Sequence, residues 1–175
     1  MNSLRGLENA FWSWRFRRHC AKVGDNLQVT GRCVIYGDGV IDVGDGLFLR
    51  SGRPREVTLC VAQHAKLTLG NKVFINQGVR IVCTTEISIG DGCQIGDEVV
   101  ILDDDFHPVD GARRQAHVRL EENVWLATRV IVLRGVTIGR GSIVGAGSVV
   151  TRSIPAFTFA AGAPAREIRK LHFQA

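Results

Sequence analysis

Residues 120–154 read LEENVWLATRVIVLRGVTIGRGSIVGAGSVVTRSI, and an aliphatic residue stands there at every sixth position: Leu120, Leu126, Val132, Ile138, Val144 and Val150. Gly139 and Gly145 directly follow two of them. Four residues after each come Val124, Val130, Val136, Ser142, Ser148 and Ile154, mostly small or β-branched. Six is not a multiple of the helical period of about 3.6, and each Gly in a helix interior costs about 1 kcal/mol. Short strands joined by tight turns at the Gly-containing dipeptides satisfy the pattern. Three such strands per coil point each aliphatic side chain inward, onto its equivalent one coil away. A single coil buries little, so stability comes from the stack.

The same register continues outward from this stretch. It appears at Ile89, Ile95 and Ile101, with Gly90 and Gly96 behind the first two, and at Leu69, Ile75 and Ile81. A weaker run is Val29, Ile35, Ile41 and Leu47. These sixteen positions predict an all-β chain, a parallel β-helix of about five coils. Three segments break the register: the polar stretch Arg50 to Glu56 with Pro54, two extra residues between Ile81 and Ile89, and a long departure between Ile101 and Leu120. A loop as long as the last is usually functional or disordered.

Length and composition set the outer bounds. The 175 residues, 45% apolar and 22% charged, fit one soluble domain with a single core. No stretch has the roughly 18 consecutive apolar residues of a membrane span, and no secretory leader is read at the start, so a cytoplasmic location is expected. Five cysteines (20, 33, 60, 83 and 93), odd in number and never in a C-x-x-C pair, read as reduced core residues. The net charge of +5 is modest and gathers at the two ends. Without an interleaved aromatic stripe or binding motif it does not indicate nucleic acid. A small anionic ligand or a membrane surface fits as well.

The pattern aliphatic-Gly-x-x-small-x resembles the hexapeptide-repeat acyltransferases, and residues 123–170 resemble the coenzyme A segment of galactoside, maltose and xenobiotic acetyltransferases. The resemblance implies a left-handed β-helix, a homotrimer, acetyl-CoA as co-substrate with no metal required, and an active site between subunits. The maltose-type N-terminal helical domain is missing; the sequence instead divides into a basic, aromatic helical cap (1–26), the repeat domain (27–155, with an inserted loop 102–119) and a C-terminal loop and short helix (156–175). In the cap, Leu4, Leu7, Phe11 and Trp14 lie at helical spacing. Packing on the first coil is the expected role, and a peripheral membrane contact is the other.

Within the long loop, His107-Pro108-Val109 stands where the resembling enzymes carry their catalytic histidine. A hydroxyl is a poor nucleophile near neutral pH, and an imidazole can accept its proton as it attacks. Without the family, His107 would read as a surface-loop histidine. Carried over by position, Thr128, Ala146, Thr151, Arg152, Arg166 and Arg169 hold the coenzyme, the arginines through charge-assisted bonds to phosphate. Arg152 stands where the family usually has Lys. The plain alternative for Arg166 and Arg169 is a solvated face of the C-terminal helix.

Asn76 and Trp125 match acceptor-side positions, although an Asn can equally stabilise a turn and a Trp can be core. Asp103, Asp104 and Asp105 either orient the imidazole, bind the acceptor or are simply solvated. Asp103 and Asp105 are taken here as acceptor contacts. Cys83-Thr84-Thr85 replaces the acidic residues frequent in the family, which departs from the galactoside-type acceptor site. The expected activity is O-acetylation of a saccharide or related hydroxyl. The rivals are acetylation of an antibiotic or amino-sugar nitrogen, a zinc-dependent γ-type carbonic anhydrase built on histidines such as His64, His107 and His117, and a non-catalytic scaffold.

Overall fold

A computed structural model describes residues 2–107, 111–112 and 114–172, with side chains from residue 6 onward. Pro108, Val109 and Arg113 lie outside the described residues, as does the side chain of Leu4. After one helix, Asn2–Arg17, the chain is all strand and turn. Three parallel sheets form the faces of a prism. Sheet A stacks Lys22–Val23, Val40–Val43, Lys66–Leu69, Glu86–Ile89, Val118–Leu120 and Thr137–Ile138. Sheet B stacks Gln28–Thr30, Phe48–Arg50, Phe74–Ile75, Gln94–Ile95, Trp125–Leu126, Ile143–Val144 and Thr158–Gly162. Sheet C stacks Cys33–Tyr36, Val57–Val61, Arg80–Cys83, Val100–Leu102, Ile131–Val132 and Val149–Val150. The chain visits A, B and C in turn, which makes six complete coils rather than the five expected.

The core is three internal ladders. In sheet B, Val29, Leu49, Ile75, Ile95, Leu126, Val144 and Ala160 stack in register, and each is at most 1% exposed. Ile35, Leu59, Ile81, Ile101, Val132 and Val150 do the same in sheet C. The weak N-terminal run needs a correction of register. The ladder equivalents there are Val43 and Leu49, not Ile41 and Leu47. Both members of each pair are buried, because these longer strands and corners turn two alternate residues inward.

Coil length varies while the ladders stay aligned. Leu126 pairs with Val144, eighteen residues on, whereas Ile95 pairs with Leu126, thirty-one on. The difference leaves the prism as the loop between Leu102 and Val118. The turn at each B/C corner needs one left-handed residue, filled by Gly78, Glu98, Arg129 and Gly147 at φ of 72°, 57°, 59° and 70°. The Gly behind a ladder position answers a different need. At Gly90 an added Cβ would lie 2.7 Å from the carbonyl carbon of Glu121 in the next coil.

Both ends are capped. The N-terminal helix lays Phe16, 2% exposed, and Trp12 on the first coil, and the Ser13 hydroxyl accepts the Val29 N–H at 2.9 Å. The expected stripe faces the other way: Leu7, Phe11 and Trp14 are 69%, 49% and 55% exposed. At the far end the expected C-terminal helix is a strand. Ala165–Lys170 pairs antiparallel with Thr158–Gly162. Where the coils run out, sheet B would end on unpaired N–H and C=O groups, and the hairpin satisfies them. Pro164 therefore sits in a hairpin turn.

Candidate active site

The B/C corner gathers four of the predicted ligand positions, Asn76, Trp125, Thr128 and Ala146. A cleft of about 250 Å³ on the sheet B side is lined by Phe74, Asn76, Gln94, Asp97, Trp125 and Thr128, among others. Trp125 is in register with Gln94 below and Ile143 above, on the outer face, and is 48% exposed. The expectation that it lines a wall rather than the core fits this placement. The Asn76 side-chain oxygen accepts the Gln77 N–H at 2.9 Å, so the residue shapes its turn and faces the cleft together. Thr128 lies at the tip of its turn, and its carbonyl accepts the Gly147 N–H from the next coil at 2.9 Å. Ala146 occupies the equivalent tip one coil on, exposed. The N–H groups of Thr128 and Ala146 have no partner among the described residues.

Asp97 in this cleft escaped the sequence reading. Arg55, from the polar stretch that breaks the repeat, reaches it at 3.4 Å and donates to Gln77 Oε1 at 3.0 Å. Arg129 continues the column, with Nε 2.6 Å from Glu98 Oε2. That hydrogen bond and charge hold the Glu98 carboxyl below its ordinary range and raise Arg129. The Arg50–Glu56 interruption is thus fastened along the corner that carries the cleft. No local sequence signal marks this, since Arg55 and Asp97 are 42 residues apart.

Arg152 and Arg166 come together at the C-terminal end of the prism. They line one cleft of about 180 Å³ with Ser153, Ile154, Pro155 and Glu167. Arg169 does not join them. Its guanidinium lies over the Phe159 ring, 5.7 Å from the centroid. Thr151 is exposed at the turn before Arg152.

The loop that carries His107 leaves from the other edge of sheet C, the C/A corner, and its three aspartates hold it there. Asp103 is fully buried. Its carboxylate accepts the N–H and hydroxyl of Thr84 at 2.7 and 2.9 Å, and those of Thr85 at 2.7 and 3.0 Å. The two extra residues after Ile81 are therefore a corner wrapped around this carboxylate. The expected acceptor contact at Asp103 is corrected accordingly, because the group is enclosed and satisfied. Asp104, also buried, accepts the Phe106 N–H at 2.8 Å and the Gln115 amide at 3.1 Å. Asp105 Oδ1 lies 2.7 Å from Arg134 Nε, an ion pair by distance whose direction is off the line of a hydrogen bond. An acceptor role for Asp105 is displaced by this pairing. His107 is exposed, and its N–H donates to the Asp105 carbonyl at 2.7 Å.

The other histidines do not converge with it. His117 Nδ1 lies 3.4 Å from Glu86 in an exposed pair. Among the described residues no three His, Cys, Asp or Glu side chains are arranged to hold a metal. All five cysteines are free thiols. Burial pushes Cys20 and Cys83 up to about 12 and Cys93 up to about 11.

With this geometry in view, comparison with known proteins gives a consistent answer. Residues 117–152 match the family model for the bacterial transferase hexapeptide, six repeats. The matched stretch is the part of the prism in which the six-residue step is unbroken. The galactoside O-acetyltransferase of Lactococcus lactis is 40% identical over 109 residues, covering 59% of this chain and 52% of that protein. This chain thus spans about half the length of the curated relatives it matches. Among solved structures, the polySia-specific acetyltransferase superposes with a TM-score of 0.64 at 25% identity, over 87% of this chain and 72% of that one. A galactoside acetyltransferase in complex with coenzyme A superposes with a TM-score of 0.55 at 27% identity, over 89% and 68%. Among the described residues no helix is long and apolar enough to cross a membrane.

Proposed function

We propose that this hexapeptide-repeat protein is an acetyl-CoA-dependent O-acetyltransferase acting on a saccharide hydroxyl. The observation that carries the reading is the placement of two groups on one sheet. The cleft with Asn76, Trp125 and Thr128 lies at the B/C corner, and the loop with His107 leaves the C/A corner. Within one chain, sheet C separates them. A homotrimer of left-handed prisms, in which one subunit's loop meets the next subunit's cleft, assembles the site. The naming of relatives as galactoside and polysialic acid O-acetyltransferases supports a saccharide acceptor, and a coenzyme A complex among the similar structures supports the donor.

The chemistry follows from the residues. His107 removes the acceptor hydroxyl proton as the oxygen attacks the thioester carbonyl. The tetrahedral oxyanion takes the Thr128 N–H, which has no partner among the described residues. Collapse breaks the C–S bond, and the imidazolium returns its proton to the departing thiolate. The acetyl ester and free coenzyme A are the products. The Ala146 turn lies along the pantetheine arm, and Arg152 and Arg166, with Thr151 beside them, take the phosphates. Arg169, stacked on Phe159, adds charge at the margin of the same hairpin.

The division into cap (1–26), repeat domain (27–155) and C-terminal segment (156–175), and a cytoplasmic location, belong to this reading. So does a peripheral membrane contact, favoured by the exposed Leu7, Phe11 and Trp14 with Arg18 5.1 Å from the Trp14 ring centroid. Sedimentation with anionic vesicles tests that part; equal binding by a Leu7→Ser, Phe11→Ser, Trp14→Ser variant removes it. The central test is thiol release from acetyl-CoA against sugars, nucleotide sugars and aminoglycosides. Saccharide-dependent release that His107→Ala lowers by about 10²–10⁴-fold is expected. Wild-type turnover in His107→Ala, acetylation of amines alone, or a monomer in light scattering overturns the reading.

A further inference from the structure

Three polar groups of Asp105 are all engaged: two brace the His107 loop internally, and the third ties it to the prism. Its N–H donates to the Arg114 carbonyl on the returning arm at 3.1 Å, its carbonyl accepts the His107 N–H at 2.7 Å, and its carboxylate lies 2.7 Å from Arg134 Nε. Arg134 belongs to the next coil, in the turn between Ile131–Val132 and Thr137–Ile138. Its neighbour Gly135 donates its N–H to Ala116, again on the returning arm, at 3.0 Å. Both arms of the loop therefore dock on one turn of the prism. The Arg134 and Asp105 side chains are 28% and 23% exposed, so the pair is screened less than a surface ion pair.

We propose that Arg134 is a positioning residue for His107, acting through Asp105, and this rests on the reading of His107 as the base. Arg134 does not touch the reacting atoms. It fixes the carboxylate of the residue whose carbonyl holds the His107 backbone, and so sets where the imidazole stands over the neighbouring cleft. A base displaced by about 1 Å loses on the order of 10²-fold in rate. Lysine keeps the charge at position 134 but not the planar fork, so it restores only part of the positioning. The sequence alone offers no hint, because Arg134 sits in an ordinary Arg-Gly turn of the repeat.

The test uses Arg134→Gln, Arg134→Lys and Asp105→Asn in the full-length chain, each alone and combined with His107→Ala. Arg134→Gln is expected to lower kcat by about 10–100-fold while KM for acetyl-CoA and the melting temperature stay close to wild type. Arg134→Lys should lie between the two. Asp105→Asn with Arg134→Gln should be no slower than Arg134→Gln alone. On the His107→Ala background Arg134→Gln should change the residual rate by less than about twofold, since nothing remains to be positioned. Wild-type kcat in Arg134→Gln, or the same loss with and without His107, overturns the proposal. If His107→Ala itself keeps full turnover, the base assignment fails first. A dead His107→Ala beside an unaffected Arg134→Gln rejects only the positioning role.

Discussion

Asp103 and Thr84 are bound twice over: one carboxylate oxygen of the fully buried aspartate accepts both the N–H and the hydroxyl of the threonine, at 2.7 and 2.9 Å. Thr85 does the same to the other oxygen. Replacing Asp103 by Ala removes the acceptor from four part-buried donors, and each unsatisfied buried group costs about 1–3 kcal/mol. Asp103→Ala should therefore lose on the order of 3 kcal/mol or more in urea unfolding. Asp105→Asn, in a partly exposed pair, should lose much less. Equal losses would contradict the division of labour between these neighbours.

The N-terminal helix has two apolar faces, and only one is used in packing. Phe16→Ala removes a nearly fully buried ring from the first coil and should cost about 3–5 kcal/mol. Trp14→Ser, on the exposed face, should stay within about 0.5 kcal/mol. Thermal melting of the two variants side by side checks this.

The buried thiols make the fold sensitive to alkali. Burial raises Cys20, Cys83 and Cys93 in the native state, to about 12, 12 and 11. The unfolded chain ionises near the ordinary thiol value while the native chain keeps its protons. Their contribution is thus complete below that value, and it is lost as pH climbs through 11 to 12. The melting temperature should fall steadily above about pH 9, and Cys93→Ala should flatten the fall. In native protein near neutral pH, Cys83 and Cys93 should resist a thiol reagent that modifies them after unfolding.

Arg152 and Arg166 line a common cleft, whereas Arg169 is stacked on Phe159. Arg152→Ala and Arg166→Ala should each raise KM for acetyl-CoA, with an effect that shrinks at high salt, and kcat should change little. Their effects should not be additive, because the two residues line one cleft. Arg169→Ala should act more weakly. Steady-state kinetics at two ionic strengths separates these outcomes.

The ladders of the last coils were legible residue by residue, because Leu126, Val132, Ile138, Val144 and Val150 keep a bare six-residue step. Earlier coils were harder, since Val43 and Leu49 are reached through longer corners and Ile41 and Leu47 mimic the period two residues early. Ala165–Lys170 lies in the segment expected to hold a short helix. Its strand form depends on a partner that exists only where the stack ends. Asn76, Trp125 and Thr128 are legible only through family resemblance, and they do share a cleft. Asp97, Arg55 and Arg134 are not legible, since each acquires its role from a residue at least 29 positions away or one coil removed, as Arg55 does from Asp97 across 42. Polar contacts along the prism axis, unlike the aliphatic ladders, leave no short-range trace in the chain.

The hairpin at the C-terminal end has a consequence beyond its part in the proposed site. A stack of coils with an open last strand is a template on which another molecule's sheet can continue. Here the outermost strand offers Arg166, Glu167, Arg169 and Lys170 to solvent, all exposed. A charged rim of this kind disfavours growth of one prism onto the next. The same arginines that are proposed to meet an anionic co-substrate therefore act as a stopper against fibre formation. Neutralising them together should trade a discrete particle for end-to-end polymer.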